Sequence, residues 1–256
     1  MSSGTSCRTG PQLPSERVGI LSRVRFRAVF FDAGETLVHP DPSFPELFAR
    51  IVTNEGYPRQ PVAISEGLAM VTDEFRRASD EHALWTTTPE RSRRFWLGVY
   101  DRFLEVLDLP RDDGLADTLY AAFTDRANYA SFDDVRAALT ALRDAGVRLG
   151  VISNYEAWLE DLLRDLELTS LLSVRVVSGV EGVEKPDPAI FHLALERIGL
   201  PADDVVYVGD VPDFDIDPAA AVGMFPVLID RRGRHPDFAG PLVRDLRELP
   251  ALLEVS

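Results

Sequence analysis

The sequence predicts an α/β protein: a doubly wound parallel sheet, Rossmann-like, carrying an inserted all-helical subdomain. Three observations predict it. Five short apolar runs, Ala28 to Phe31, Leu149 to Ile152, Val174 to Val177, Val205 to Val208 and Val227 to Ile229, are mostly continuous rather than alternating. Strands covered on both faces read this way, which means a parallel sheet with helices on each side. Amphipathic helical patterns separate the later runs. Well over a hundred residues divide the first run from the second, far more than one crossover helix needs.

Taken in order, residues 1–24 form a Ser-, Gly-, Pro- and Arg-rich tail without the apolar stretch of a secretory signal. Cys7, the single cysteine, lies in it, so no internal disulfide can form and a cytoplasmic setting is expected. The first strand opens an α/β core assigned to residues 25–41 and 132–256. Residues 42–131 form the helical insert, with periodicity over Leu47 to Val52, Ile64 to Phe75, Trp96 to Leu107 and Leu115 to Phe123. Peripheral helices packed on the sheet are the plainer alternative. In the core, helices are predicted from about Asp134 to Ala145, closed by Gly146, and from Trp158 to about Leu168. Another starts at an Asp187 cap with Pro188 in its first turn and ends at Gly199.

Bulk properties restrict function. With 42 acidic against 27 basic residues the net charge is −15, which repels polyphosphate backbones and anionic lipid surfaces. Nucleic acid is not expected as a partner, nor a membrane, because no stretch approaches a bilayer-spanning length. An anionic substrate must therefore be met locally by a cation. Of the 27 basic residues 26 are Arg, and the single Lys is Lys185. Lys is a compact point charge where Arg is a planar fork, so a position that keeps Lys is a candidate for chemistry.

In an open parallel sheet, ligands bind beyond the carboxyl ends of the strands. The residues there are Asp32, Ser153 and Asp210, while Lys185 stands just before the Asp187-capped helix and Asp215 one loop after Asp210. Carboxylates and loop oxygens suit a hard cation such as Mg²⁺. A hydroxyl and an ammonium suit the oxygens of a phosphoryl group.

Four ordered segments carry a family resemblance: Phe30-Phe31-Asp32-Ala33-Gly34-Glu35-Thr36-Leu37, Val151-Ile152-Ser153-Asn154, Glu184-Lys185-Pro186-Asp187-Pro188, and Val208-Gly209-Asp210 through Asp215 to Gly223. Together they resemble the haloacid dehalogenase-like hydrolases, in the branch with a helical cap inserted after the first strand. The resemblance implies a magnesium-dependent phosphatase of a small phosphorylated metabolite. It makes Asp32 the covalent nucleophile, and Asp32, the Gly34 carbonyl and Asp210 the Mg²⁺ ligands. Ser153, with the amide of Asn154, would hold a phosphoryl oxygen; Lys185 would neutralise charge and Asp215 would orient Lys185 or a water. Asn154 can equally be a turn residue.

One position departs from the family pattern. Its phosphatases usually carry a second Asp two residues after the nucleophile, as general acid; here that residue is Gly34, followed by Glu35 where Gly is usual. Either Glu35 supplies the carboxylate, or substrates with good leaving groups are favoured, or fast catalysis is lost. A catalytically weak binding or regulatory protein is accordingly the alternative function. Phosphonate cleavage through a cap lysine is excluded, because Lys185 is the only lysine, and a dehalogenase would resemble a pattern with Tyr in place of Gly34. Within the insert, Arg91, Arg93, Arg94 and Trp96 form the densest basic and aromatic cluster; Arg94 and Trp96 are candidate substrate contacts, against a solvent-facing helix, and Trp85 could join them.

Overall fold

In a computed structural model, residues 26–80, 84–111 and 114–254 are described. The tail with Cys7, and His82, lie outside them.

Six parallel strands form the central sheet in the order β5-β4-β1-β6-β7-β8: β1 (Ala28–Phe31), β4 (Arg148–Ser153), β5 (Val174–Val177), β6 (Val205–Gly209), β7 (Phe225–Ile229) and β8 (Leu242–Val243). All four residues of β1 are fully buried, as its central place demands. Its register sets Phe31 opposite Val151 of β4 and Val208 of β6, so the three strands end within two residues of one another at one edge. One face packs on α6 (Val135–Asp144), α7 (Leu159–Asp165) and α11 (Leu249–Leu252), the other on α9 (Pro188–Ile198) and α10 (Asp217–Ala221). The predicted helix punctuation is present: the Asp187 carboxylate accepts from the Ala189 amide, and Gly146 and Gly199 take the left-handed conformation. α7 stops three residues before the predicted Leu168, because Glu167 turns left-handed and lets Leu168 fold back into the core.

After β1 the chain forms β2 (Val38–Pro40), which pairs antiparallel with β3 (Tyr129–Ser131). The segment between them thus leaves and re-enters on adjacent strands. It consists of α1 (Phe44–Asn54), α2 (Pro61–Glu66), α3 (Leu68–Asp80), α4 (Pro89–Val106) and α5 (Leu115–Phe123). These helices share their own apolar core of Leu47, Phe48, Val52, Phe103, Leu104 and Leu119. The predicted helix over Ile64 to Phe75 is two helices, broken at Gly67. A Cβ there would lie 2.8 Å from the Phe103 ring, so Gly lets the junction sit against α4. A four-residue α8 (Ser178–Glu181) follows β5 directly. No helix among the described residues is long and apolar enough to cross a membrane.

Candidate active site

The carboxyl ends of β1, β4 and β6 bring Asp32, Ser153 and Asp210 to one edge of the sheet, with Lys185 entering from the loop before α9. The Lys185 ammonium is the hub. Its Nζ donates to Asp32 Oδ1 at 2.6 Å, to Asp215 Oδ1 at 2.6 Å and to the Tyr207 hydroxyl at 3.0 Å. Ser153 Oγ donates to the same Asp32 oxygen at 2.9 Å. Asn154 clamps the main chain of Lys185, accepting from its amide at 2.6 Å and donating to its carbonyl at 2.7 Å. That pair fixes where the lysine enters. Asp215, in the π-helical turn Pro212–Ile216, also accepts from the Val211 amide at 2.9 Å. It can lie this close to β6 only because residue 209 is Gly: a Cβ there would stand 2.3 Å from the Asp215 carboxyl carbon.

Burial alone would push the Lys185 ammonium down, but Asp215 and Asp32 outweigh it and hold its pKa above the usual lysine value. It stays charged. Burial raises the Asp32 carboxyl, against the pull of Lys185. Asp210 is raised well above the carboxylate range, by burial first and then by Asp215 and Asp32. Three buried or partly buried carboxylates thus face one ammonium, an imbalance costly without a further cation. Among the described residues no three His, Cys, Asp or Glu side chains form a complete ligand cluster. The donor set fits instead a hard divalent ion such as Mg²⁺, which takes one or two carboxylates and completes its shell with carbonyl, water and substrate oxygens.

Gly34 and Glu35 lie at the same edge. Gly34 has no left-handed strain, and an added Cβ would meet only Tyr155, at 3.7 Å from Cε2. Glu35 takes the strained value φ 54°, and its carboxylate accepts from Arg232 at 2.6 Å.

From Asp32 and Lys185 a cavity of about 280 Å³ runs toward the helical segment, walled by Trp85, Trp96, Tyr120, Phe123, Tyr129 and Tyr155. Trp96 reaches this wall; Arg94 is exposed and does not line the cavity. Of the other arginines, Arg91 donates to Thr87 at 3.1 Å, and Arg93 pairs with Asp117 and lies over the Tyr120 ring. Three polar residues that hold the site together escape a reading of the sequence. Tyr207 looks like strand core, yet its hydroxyl ties Lys185 and Asp215 to the Ile152 carbonyl, 3.0 Å away. Glu184, beside the lysine, accepts from the Trp85 and Thr86 amides at 2.9 and 2.8 Å and from the Thr86 hydroxyl at 2.6 Å. Glu156 accepts from Ser92 at 2.7 Å and from Tyr120 at 3.1 Å. Both carboxylates bind the helical segment to the core.

The profile of the haloacid dehalogenase-like hydrolases matches residues 26–223. The chain belongs to this family. A haloacid dehalogenase-like hydrolase domain-containing protein 3 of Danio rerio is 31% identical over 244 residues, covering 91% of this chain and 98% of the relative. A phosphoserine phosphatase of Thermus thermophilus is 32% identical over 136 residues, 50% of this chain and 53% of its own length. Among solved structures, the hydrolase YfnB of Bacillus subtilis, bound to magnesium, superposes with a TM-score of 0.73 at 18% identity, covering 90% of this chain and all of its own. At that identity it shares the fold.

Proposed function

We propose that this haloacid dehalogenase-like hydrolase is a magnesium-dependent phosphomonoesterase acting on a small phosphorylated metabolite, with Asp32 as covalent nucleophile. The observation that carries the reading is the buried Asp32–Lys185–Asp215 ion-pair chain at the strand ends, opening into one cavity beside Asp210. Phosphatases among the relatives and a magnesium-bound structural neighbour support it.

Asp32, the Gly34 carbonyl and Asp210 would hold the ion, which when bound offsets negative charge on the phosphoryl group and on the carboxylates. Asp32 attacks phosphorus with one carboxylate oxygen; the ester P–O bond breaks, the leaving oxygen takes the bonding pair, and an aspartyl phosphate forms. Water then attacks that phosphorus, the bond from phosphorus to the Asp32 oxygen breaks with its pair returning to the carboxylate, and the water's proton leaves with the phosphate or to solvent. Ser153 and Lys185, now donating to Asp32 Oδ1, are placed to hold a phosphoryl oxygen and to offset its charge. Asp215 and Tyr207 orient Lys185, and Asn154 positions it rather than touching substrate. The leaving oxygen finds no side-chain acid at Gly34, and Arg232 holds the Glu35 carboxylate. Residues 42–131 act as the cap that covers the cavity and chooses the substrate.

A catalytically weak binding protein is the second reading, favoured by Gly34 alone. Hydrolysis of p-nitrophenyl phosphate that requires Mg²⁺, stops on chelation and is absent in Asp32→Asn supports the enzyme. No turnover with any phosphate ester, from a folded protein, overturns it. Asp32→Asn that remains active overturns the covalent route.

A further inference from the structure

We propose that the substrate is an aryl phosphomonoester, with a planar aromatic ring as the leaving group held in the cavity next to Asp32; this rests on the phosphomonoesterase reading above.

The shape and lining of the cavity point first to a ring. Its walls away from the carboxylates are aromatic, and the rings brace one another: Trp96 on Tyr100 at 5.9 Å between centroids, Tyr100 on Phe123 at 5.7 Å, Tyr155 on Trp158 at 4.8 Å. Such faces prefer another π-system, offset or edge-on. An apolar cavity of about 150 Å³ already accepts benzene. At about 280 Å³ this one takes a substituted ring as well as part of the phosphoryl group.

Charge argues against the commoner alternatives. Among the described residues lining the cavity Lys185 is the one cation, and it is committed to Asp32 and Asp215. The other charged groups on the wall, Asp32, Asp210, Asp215, Glu35 and Glu156, are all carboxylates, of which Glu35 is paired with Arg232, so a second phosphate or a carboxylate on the substrate meets repulsion.

Chemistry at Gly34 agrees independently. The place where an acid would protonate the leaving oxygen is empty of side chain and is bordered by Tyr155. A phenol has a pKa of about 10, as tyrosine does, so its oxygen can depart as phenolate with the P–O bonding pair and take its proton from water afterwards. An alkoxide cannot do so easily.

The test separates ring recognition from leaving-group chemistry. Calorimetry on Asp32→Asn with Mg²⁺ compares benzyl phosphate, phenyl phosphate and glycerol 3-phosphate. Both ring-bearing esters should bind about 10- to 100-fold more tightly than glycerol 3-phosphate. Trp96→Ala, added to that background, should remove most of the preference and Trp96→Phe should retain it. In wild type, kcat/KM should rank phenyl phosphate above acetyl phosphate, which has a good leaving group and no ring. Equal binding of ring and polyol, or a preference that survives Trp96→Ala unchanged, overturns the inference. If acetyl and phenyl phosphate turn over alike, the inference falls and the phosphomonoesterase reading stands; if neither turns over, both fall.

Discussion

Restoring an acid at position 34 is the sharpest perturbation the site allows. Gly34→Asp adds a Cβ that meets one ring carbon at 3.7 Å, an ordinary contact, at a residue free of left-handed strain. The backbone therefore accepts the change. The new carboxyl would stand among Asp32, Asp210 and Asp215, whose charges already raise Asp210, so its own pKa should also lie above the ordinary carboxylate value. A raised carboxyl is protonated more of the time, which is what a general acid requires. A positioned acid contributes about 10²- to 10⁴-fold, or about 2.7–5.4 kcal/mol of barrier. That gain should fall on substrates whose leaving group needs a proton. In paired assays, kcat/KM for benzyl phosphate should rise by at least about 10-fold, while phenyl phosphate changes little. Gly34→Asn, of the same shape without the proton, should raise neither. A folded Gly34→Asp variant with an unchanged benzyl-to-phenyl ratio, or an Asn variant that gains as much, would refute the argument that this enzyme lacks leaving-group protonation.

Lys185→Arg should lower kcat by at least about 10²-fold, because a site 3% exposed with three acceptors within 3.0 Å has no room for a forked guanidinium; near-normal rates would show that any cation serves. Mg²⁺ at 100 times its dissociation constant should stabilise the wild-type fold by about 2.7 kcal/mol, read as a shift in Tm that Asp210→Asn abolishes. Gly209→Ala, whose Cβ would overlap the Asp215 carboxyl, should cost about 1–3 kcal/mol in denaturant unfolding and reduce activity together. Glu184→Gln leaves one of three buried donors facing an amide instead of an oxygen. It should destabilise by about 1.5–3 kcal/mol and speed hydrogen exchange at Trp85 and Thr86, where an unchanged exchange rate would deny Glu184 its part in holding the helical segment.

The sheet was legible because burial on both faces writes itself locally: β1 and β6 are unbroken apolar runs, and the residues after them fall at the ligand-binding edge by topology alone. Lys185 stood out because every other basic residue is Arg. β2, β3 and β8, at two or three residues each, carry no periodicity and were not foreseen. Tyr207 was hidden for a different reason: its ring belongs to the strand pattern, and only coordinates show where its hydroxyl ends.

The helical segment exposes the limit most clearly. Arg94 and Trp96 look like one cluster in the sequence, yet two residues along an α-helix turn the side chain through about 200°. If Trp96 faces the cavity, Arg94 must face away, and α4 adopts that rotation because Val99, Tyr100 and Phe103 turn inward with the tryptophan side. Naming both as substrate contacts overlooks that rotation. Packing makes the choice: the apolar stripe of α4 takes the inner face, so Trp96 lines the cavity and Arg94 faces solvent. For this protein the proposed nucleophile follows from where strands end, while the proposed substrate follows from how one helix is turned.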